Sequence, residues 1–171
     1  PILGPISKIV TFRTYENQTN HFEAKVDVPE IESAPAEINQ SIEEYANALI
    51  SQYESDLHSS QGEGNYSLTS SYQVVTDTTN YLCLRIDTTL VMASGTEYTK
   101  VFTIDKRTGK MISLSDLFRN KPEMLTAISD NIKEQMQAQM AADSSVTYFY
   151  NSDMPEWDFK ELRGDESFYF N

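Results

Sequence analysis

The sequence has little of two things on which many folds rely, cysteine and long apolar runs. Cys83 is the only cysteine among 171 residues, which excludes an internal disulfide and fits either a reducing compartment or a bacterial surface that does not use disulfides. Leu82 and Leu84 flank Cys83, so we predict a small buried hydrophobe inside a strand. No apolar run approaches the roughly 20 residues of a membrane-spanning helix.

Basic residues are also scarce, with 13 Lys and Arg against 26 Asp and Glu and a formal net charge of −13. Between Lys25 and Arg85 there is no basic residue, whereas ten acidic residues fall between Asp27 and Asp77. Such a surface repels phosphate backbones and anionic lipid headgroups. The charge therefore argues against nucleic acid and direct membrane contact, and it favours a cationic partner.

Signatures of catalysis are missing as well. The sequence contains no GxGxxG, GxxxxGK[ST], GxSxG or HExxH motif, and neither His21 nor His58 has a second ligand at metal-binding spacing. We therefore predict no catalytic residues, no cofactor and no metal site, and no enzyme. Paired carboxylates acting on a glycan remain an alternative to a solvated acidic surface; the pairs and groups concerned are Glu43 with Glu44, Asp153 with Glu156 and Asp158, and Asp165 with Glu166.

Periodicity predicts the first half of the fold. Residues 6–15 and 21–28 are β-rich runs on either side of a turn at 16–20. A helix follows, with Ser33 as its N-cap. Its apolar side chains recur at spacings of three and four residues, and they are Ile38, Ile42, Tyr45, Leu49 and Tyr53.

The second half adds three strands between Tyr66 and Ile104, a tight turn over 106–110, and a short helical turn over 114–118. Pro122 opens a second long helix, whose inward stripe is Leu125, Ile128, Ile132, Met136 and Met140. The expected fold class is α+β, an antiparallel β-sheet with two long amphipathic helices packed on one face. We predict an N-terminal subdomain over 1–95 and a C-terminal subdomain over 96–171, packed as one unit.

One segment, residues 148–159, is dense in aromatic and acidic side chains without clean periodicity, and Pro155 blocks regular structure there. Aromatic anchors with an acidic rim are typical of a binding surface for a cationic protein. The alternative is a packed loop that covers the sheet. The candidate partner-binding residues are Tyr148, Tyr150, Asp153, Glu156, Trp157 and Asp158.

Three stretches are similar to a known bacterial family: residues 22–31, residues 42–46, and residues 98–118, which read YTKVFTIDKRTGKMISLSDLF. The most specific piece is F-T-I-D-x-x-T-G-K-x-I-S-L-x-D-L-F. It resembles the extracytoplasmic region of the anti-sigma-V factor (RsiV-like) family of Gram-positive bacteria. The same domains are similar to the non-catalytic N-terminal part of certain peptidoglycan deacetylases.

The resemblance implies a membrane-anchored regulator of the response to cell-envelope stress. In that family a cytoplasmic segment holds a sigma factor, one helix crosses the membrane, and the outer domain binds lysozyme, which triggers proteolysis and frees the sigma factor. We expect this chain to be the sensor at the extracytoplasmic face of the membrane, with the anchor and the sigma-binding segment outside these residues. The alternative is a non-catalytic accessory domain of a cell-wall deacetylase or of another surface protein.

Residues 167–171 form an apolar run that resembles an unfinished strand.

Overall fold

The computed structural model describes residues 8–61, 63–92 and 94–170. The described chain has an α+β fold, which confirms the predicted class. Its elements in chain order are β1 (Ile9–Thr19), β2 (Phe22–Ile31), α1 (Ala36–Ser59), β3 (Tyr66–Asp77), β4 (Tyr81–Val91), β5 (Gly95–Asp105), β6 (Lys110–Met111), α2 (Leu114–Leu117) and α3 (Glu123–Ala142).

The described residues divide into two compact units. The first, called the sheet unit below, contains the chain up to Met111 together with residues 167–170. The second unit is Ile112–Glu166. All six strands and α1 therefore belong to the sheet unit, and α2 and α3 belong to the second unit.

The sheet is mixed, with the strands in the order β1-β2-β3-β4-β5-β6. Neighbours pair antiparallel except β2 and β3, which run parallel with Phe22 opposite Tyr66. The expectation of a purely antiparallel sheet was wrong at this point. The physical reason is α1, because a helix between two neighbouring strands returns the chain to the end from which it started.

The helix α1 packs on one face of the sheet, and its predicted stripe is confirmed. Ile38 and Ile42 lie in one apolar cluster with residues of β4 and β5, and Tyr53 lies in a second cluster with residues of β2 and β3. Tyr45 and Leu49 are partly buried at the margins of these clusters. Each fully buried aliphatic side chain contributes about 1.5–3 kcal/mol, so this contact holds the sheet unit together.

Two local expectations are corrected. The helix begins at Ala36 with Pro35 at the N-cap, because Ser33 has a left-handed backbone with φ of 65° and does not cap it. The strand β1 continues to Thr19, so the turn into β2 is shorter than residues 16–20 and uses Asn20 with φ of 56°.

The second long helix, α3, is present but does not share the sheet with α1, since it belongs to the second unit. The expectation of two long helices on one face of the sheet was therefore wrong. The apolar stripe of α3 is only partly buried, and the fully buried position on this helix is Ser129. Its hydroxyl accepts a hydrogen bond from the Leu162 amide at 2.8 Å.

One cation of the tight turn over 106–110 is buried. Lys106 has no exposed side-chain surface and donates to the carboxylate of Asp77. Its neighbour Arg107 stays exposed and pairs with Asp105 at 3.0 Å, which lowers the pKa of the Asp105 carboxyl through the Arg107 hydrogen bond. The turn therefore places one positive charge inside the sheet unit and one at its surface.

Asn39 joins α1 to the end of β2. Its side-chain oxygen accepts from the Ile31 amide at 2.9 Å, and its side-chain nitrogen donates to the Ile31 carbonyl at 3.0 Å. Ile31 is fully buried, so its backbone groups have little access to water. One side chain thus satisfies both groups and fixes where the helix starts on the sheet.

We predict that Asn39→Ala lowers the free energy of unfolding by about 1–2 kcal/mol, because it leaves the buried Ile31 amide without this partner and removes one of two donors to the Ile31 carbonyl, which keeps the Ala34 amide at 3.2 Å. Chemical denaturation measures the change. The matched control is Gln40→Ala, which removes an exposed amide bonded only to Glu44 of the same helix and should cost less than about 0.5 kcal/mol. Equal losses in the two variants would contradict the role of Asn39.

Candidate partner-binding surface

The segment predicted to bind a partner is a loop of the second unit, residues 148–159, called the aromatic loop below. It contains no helix or strand, but backbone hydrogen bonds shape it. The Phe159 amide donates to the Phe149 carbonyl at 2.7 Å and closes the loop at its base, and the Trp157 amide donates to the Met154 carbonyl at 3.0 Å. The loop is therefore an ordered turn structure.

The carboxylate of Asp158 organises the interior of the loop. It accepts hydrogen bonds from the Ser152 hydroxyl at 2.6 Å and from the Ser152 amide at 3.2 Å. The Ser152 hydroxyl bond is the main cause that lowers the pKa of Asp158. Asp158 is thus a charged group with a structural contact inside the loop, and its ionised form favours the folded loop.

The six predicted residues divide into two groups. Tyr148, Tyr150 and Asp158 are half-buried, and the Tyr148 hydroxyl donates to the Gln139 side chain of α3 at 2.5 Å. The exposed group is Asp153, Glu156 and Trp157. The structure therefore places one aromatic and two acidic side chains of the six at the surface.

Two apolar side chains of the same loop also face solvent and were not among the predicted residues. Trp157 is 68% exposed, Phe149 is 52% exposed and Met154 is 47% exposed. Large apolar side chains grouped on one short loop are typical of interaction sites. The sequence signal that could have identified them is their position beside the turn residues Asn151 and Pro155.

A second feature lies in the sheet unit, on the outer side of α1. This helix carries five acidic residues and no Lys or Arg. Among the described residues, Arg13 is the cation that pairs with one of them, reaching Glu43 at 3.8 Å. Glu54 accepts from the Tyr15 hydroxyl at 3.0 Å, and burial together with this hydrogen bond raises the pKa of Tyr15 to about 12. The outer side of the helix therefore presents a largely uncompensated negative surface, formed by Glu37, Glu43, Glu44 and Glu54, whereas Asp56 is half-buried and hydrogen-bonds with Tyr66.

In the part of the chain that the structure describes, no three His, Cys, Asp or Glu side chains lie close enough to hold a metal ion. Within the same residues, no helix combines the length and the apolar character needed to cross a bilayer. Cys83 is fully buried, as the sequence predicts.

The sequence was compared with known proteins. No family model matches it. Anti-sigma-V factor RsiV of Bacillus subtilis (strain 168) is 30% identical over 173 residues, which cover 99% of this chain. The chain is similar to RsiV throughout. The resemblance identified from residues 22–31, 42–46 and 98–118 is confirmed, and the chain spans 60% of the length of that relative.

One solved structure supports the fold. A member of the DUF3298 family from Bacteroides fragilis superimposes with a TM-score of 0.50 at 16% identity, over 82% of this chain and 70% of the other. A DUF3298 family protein from Pseudomonas aeruginosa gives a TM-score of 0.46 at 14% identity, over 77% of this chain and 72% of the other. At such identities the first likeness concerns the fold alone.

We predict that Ser152→Ala raises the pKa of Asp158 towards its ordinary value, because the hydroxyl that stabilises the carboxylate is removed. NMR titration of the carboxyl group measures this. Since the folded pKa is lowered, the contribution of Asp158 to loop order is present at neutral pH and is lost as the pH falls through that lowered pKa. The control is Ser144→Ala, outside the aromatic loop; an unchanged Asp158 pKa in Ser152→Ala would contradict the assignment.

Proposed function

We propose that the chain is the extracytoplasmic sensor region of a membrane-anchored anti-sigma factor. It binds a lysozyme, and binding triggers regulated proteolysis that releases a sigma factor held by a segment outside these 171 residues. The support for this proposal is the similarity to RsiV along 99% of the chain. The chain acts as a receptor and not as an enzyme in this account.

The observation that carries the partner assignment is the negative surface of α1. Opposite charges steer two proteins together and raise the association rate, and the effect weakens with salt. Lysozymes are typically strongly basic. Because only Glu43 among the acidic residues of α1 has an ion-pair partner in the described chain, most of this charge remains available to act on an approaching cation.

The aromatic loop supplies the short-range part of the interaction. Binding energy concentrates in a few aromatic anchors that lose their contact with water, whereas charges at the rim mainly affect specificity and association. Trp157 is the most exposed of the large apolar side chains in the described chain. Asp153 and Glu156, both exposed, precede it in the loop. This arrangement fits a cationic protein surface with an apolar recess.

Isothermal titration calorimetry with a basic lysozyme at low salt tests the proposal. We expect the unaltered chain to bind, and we expect Trp157→Ala to weaken binding at least tenfold, because the loop loses its largest anchor. Lys160 donates to the Pro155 carbonyl at 2.8 Å, so the loop backbone keeps this contact in the variant.

The matched control is Tyr98→Ala, which removes another exposed aromatic side chain, on β5 of the sheet unit. It should change the affinity less than twofold. No binding of lysozyme at low salt would contradict the proposed function. Binding to peptidoglycan without binding to lysozyme would contradict it as well and would favour the accessory-domain alternative.

A further inference from the structure

Residues 167–170 cross the face of the sheet opposite α1, and they are called the clasp below. The Thr76 hydroxyl of β3 donates to the Phe170 carbonyl, and the Thr103 hydroxyl of β5 donates to the Phe168 carbonyl. Because β4 lies between β3 and β5, a segment held at both of these positions must pass over β4.

Further contacts hold the two ends of the clasp. At one end, the Val101 amide of β5 donates to the Ser167 hydroxyl at 3.1 Å. At the other end, the ring of Phe170 lies 4.4 Å from the ring of Tyr81 and 5.6 Å from the ring of Phe168, measured between centroids. Tyr169, between the two phenylalanines, is exposed, so alternate side chains of the clasp face the sheet.

Cys83 lies beneath the clasp. It is paired in register with Thr76 on β3 and with Thr103 on β5, and residues paired in this way share a face of the sheet. Its neighbours Leu82 and Leu84 belong to the cluster under α1, so Cys83 must point to the opposite face. That face is the one the clasp crosses, and Cys83 is fully buried there.

The clasp is held differently from the strands. Among the described residues, its hydrogen bonds to the sheet involve the side-chain hydroxyls of Thr76, Thr103 and Ser167, whereas β3, β4 and β5 are joined by long backbone ladders. Segments with few backbone bonds and partly exposed side chains open at much lower free energy than the sheet to which they are attached.

We propose that residues 167–170 are a releasable clasp, which opens while the sheet stays folded and thereby uncovers the thiol of Cys83 and the β5 edge at Val101. In the described chain β6 pairs with β5 only at Ile104 and Asp105. Release therefore leaves the Val101 amide and the Thr103 hydroxyl without the acceptors that the clasp supplies. The clasp controls access to this edge and to the thiol.

The reaction rate of Cys83 with an aromatic disulfide reagent under native conditions tests the proposal, because this is the only thiol of the chain. Thr103→Val removes one hydroxyl bond to the clasp and should raise the rate about fivefold. Phe170→Ala removes the ring contact with Tyr81 and should raise it further. Far-UV circular dichroism checks that each variant is folded. If Phe170→Ala does not fold, Thr103→Val still provides the test.

Two matched controls accompany these variants. Thr69→Val makes the same substitution at an exposed position of β3 away from the clasp, and Tyr169→Ala removes the exposed ring within the clasp. Both should leave the labelling rate within twofold of that of the unaltered chain.

A third variant separates release of the clasp from unfolding of the sheet. Ile42→Val trims the core between α1 and the sheet and lowers global stability. The proposal expects an unchanged labelling rate for this variant. If the rate instead rises in proportion to the loss of global stability, or if Cys83 does not react at all in the native protein, the clasp does not open independently and the proposal is overturned.

Discussion

Burial of the apolar stripe of α1 against the sheet is the contact on which the rest of the sheet unit depends. Ile42 and Tyr53 are completely buried along this helix. Most of the stability of a helix inside a protein comes from packing of this kind. Because α1 connects two neighbouring strands, its docking also sets β2 parallel to β3. The same docking turns the acidic side of the helix outward, so the core contact and the negative surface have one origin.

The two units carry different parts of the proposed recognition. Charge on α1 acts over about 10 Å at moderate salt and affects how often a cationic partner arrives. The aromatic loop acts at contact, where Trp157 can be covered and desolvated. The Asp158 carboxylate contributes neither to steering nor to contact with the partner, because the Ser152 hydroxyl and amide donate hydrogen bonds to it inside the loop. An acidic residue near a binding surface is therefore not necessarily part of it.

The sequence predicts those parts of the fold that depend on local periodicity. The stripe from Ile38 to Tyr53 and the short turn at Leu114 were identified because spacing and burial coincide there. The mixed sheet was not predicted, since the direction of β3 depends on how α1 crosses. The burial of Lys106 was not predicted either, because the sequence does not show that Asp77 lies next to it in the fold.

The candidate site, like the fold, could be predicted from the sequence only in part. The density of aromatic and acidic residues locates the segment 148–159, but exposure inside it depends on hydrogen bonds that only the folded chain forms. Tyr148 is turned towards α3 by its bond to Gln139, whereas Phe149 next to it faces solvent. Alternation along an irregular loop cannot be read from the sequence, which is why the six predicted residues include three half-buried ones.

The account rests most on recognition steered by the charge of α1, and the association rate with a basic lysozyme as a function of ionic strength tests this most directly. Stopped-flow measurements would compare the unaltered chain with a variant in which Glu37, Glu44 and Glu54 are changed to Gln. The account predicts a rate that falls steeply with salt for the unaltered chain, and a lower rate with a shallower dependence for the variant. Equal rates and equal salt dependence for the two chains would contradict it.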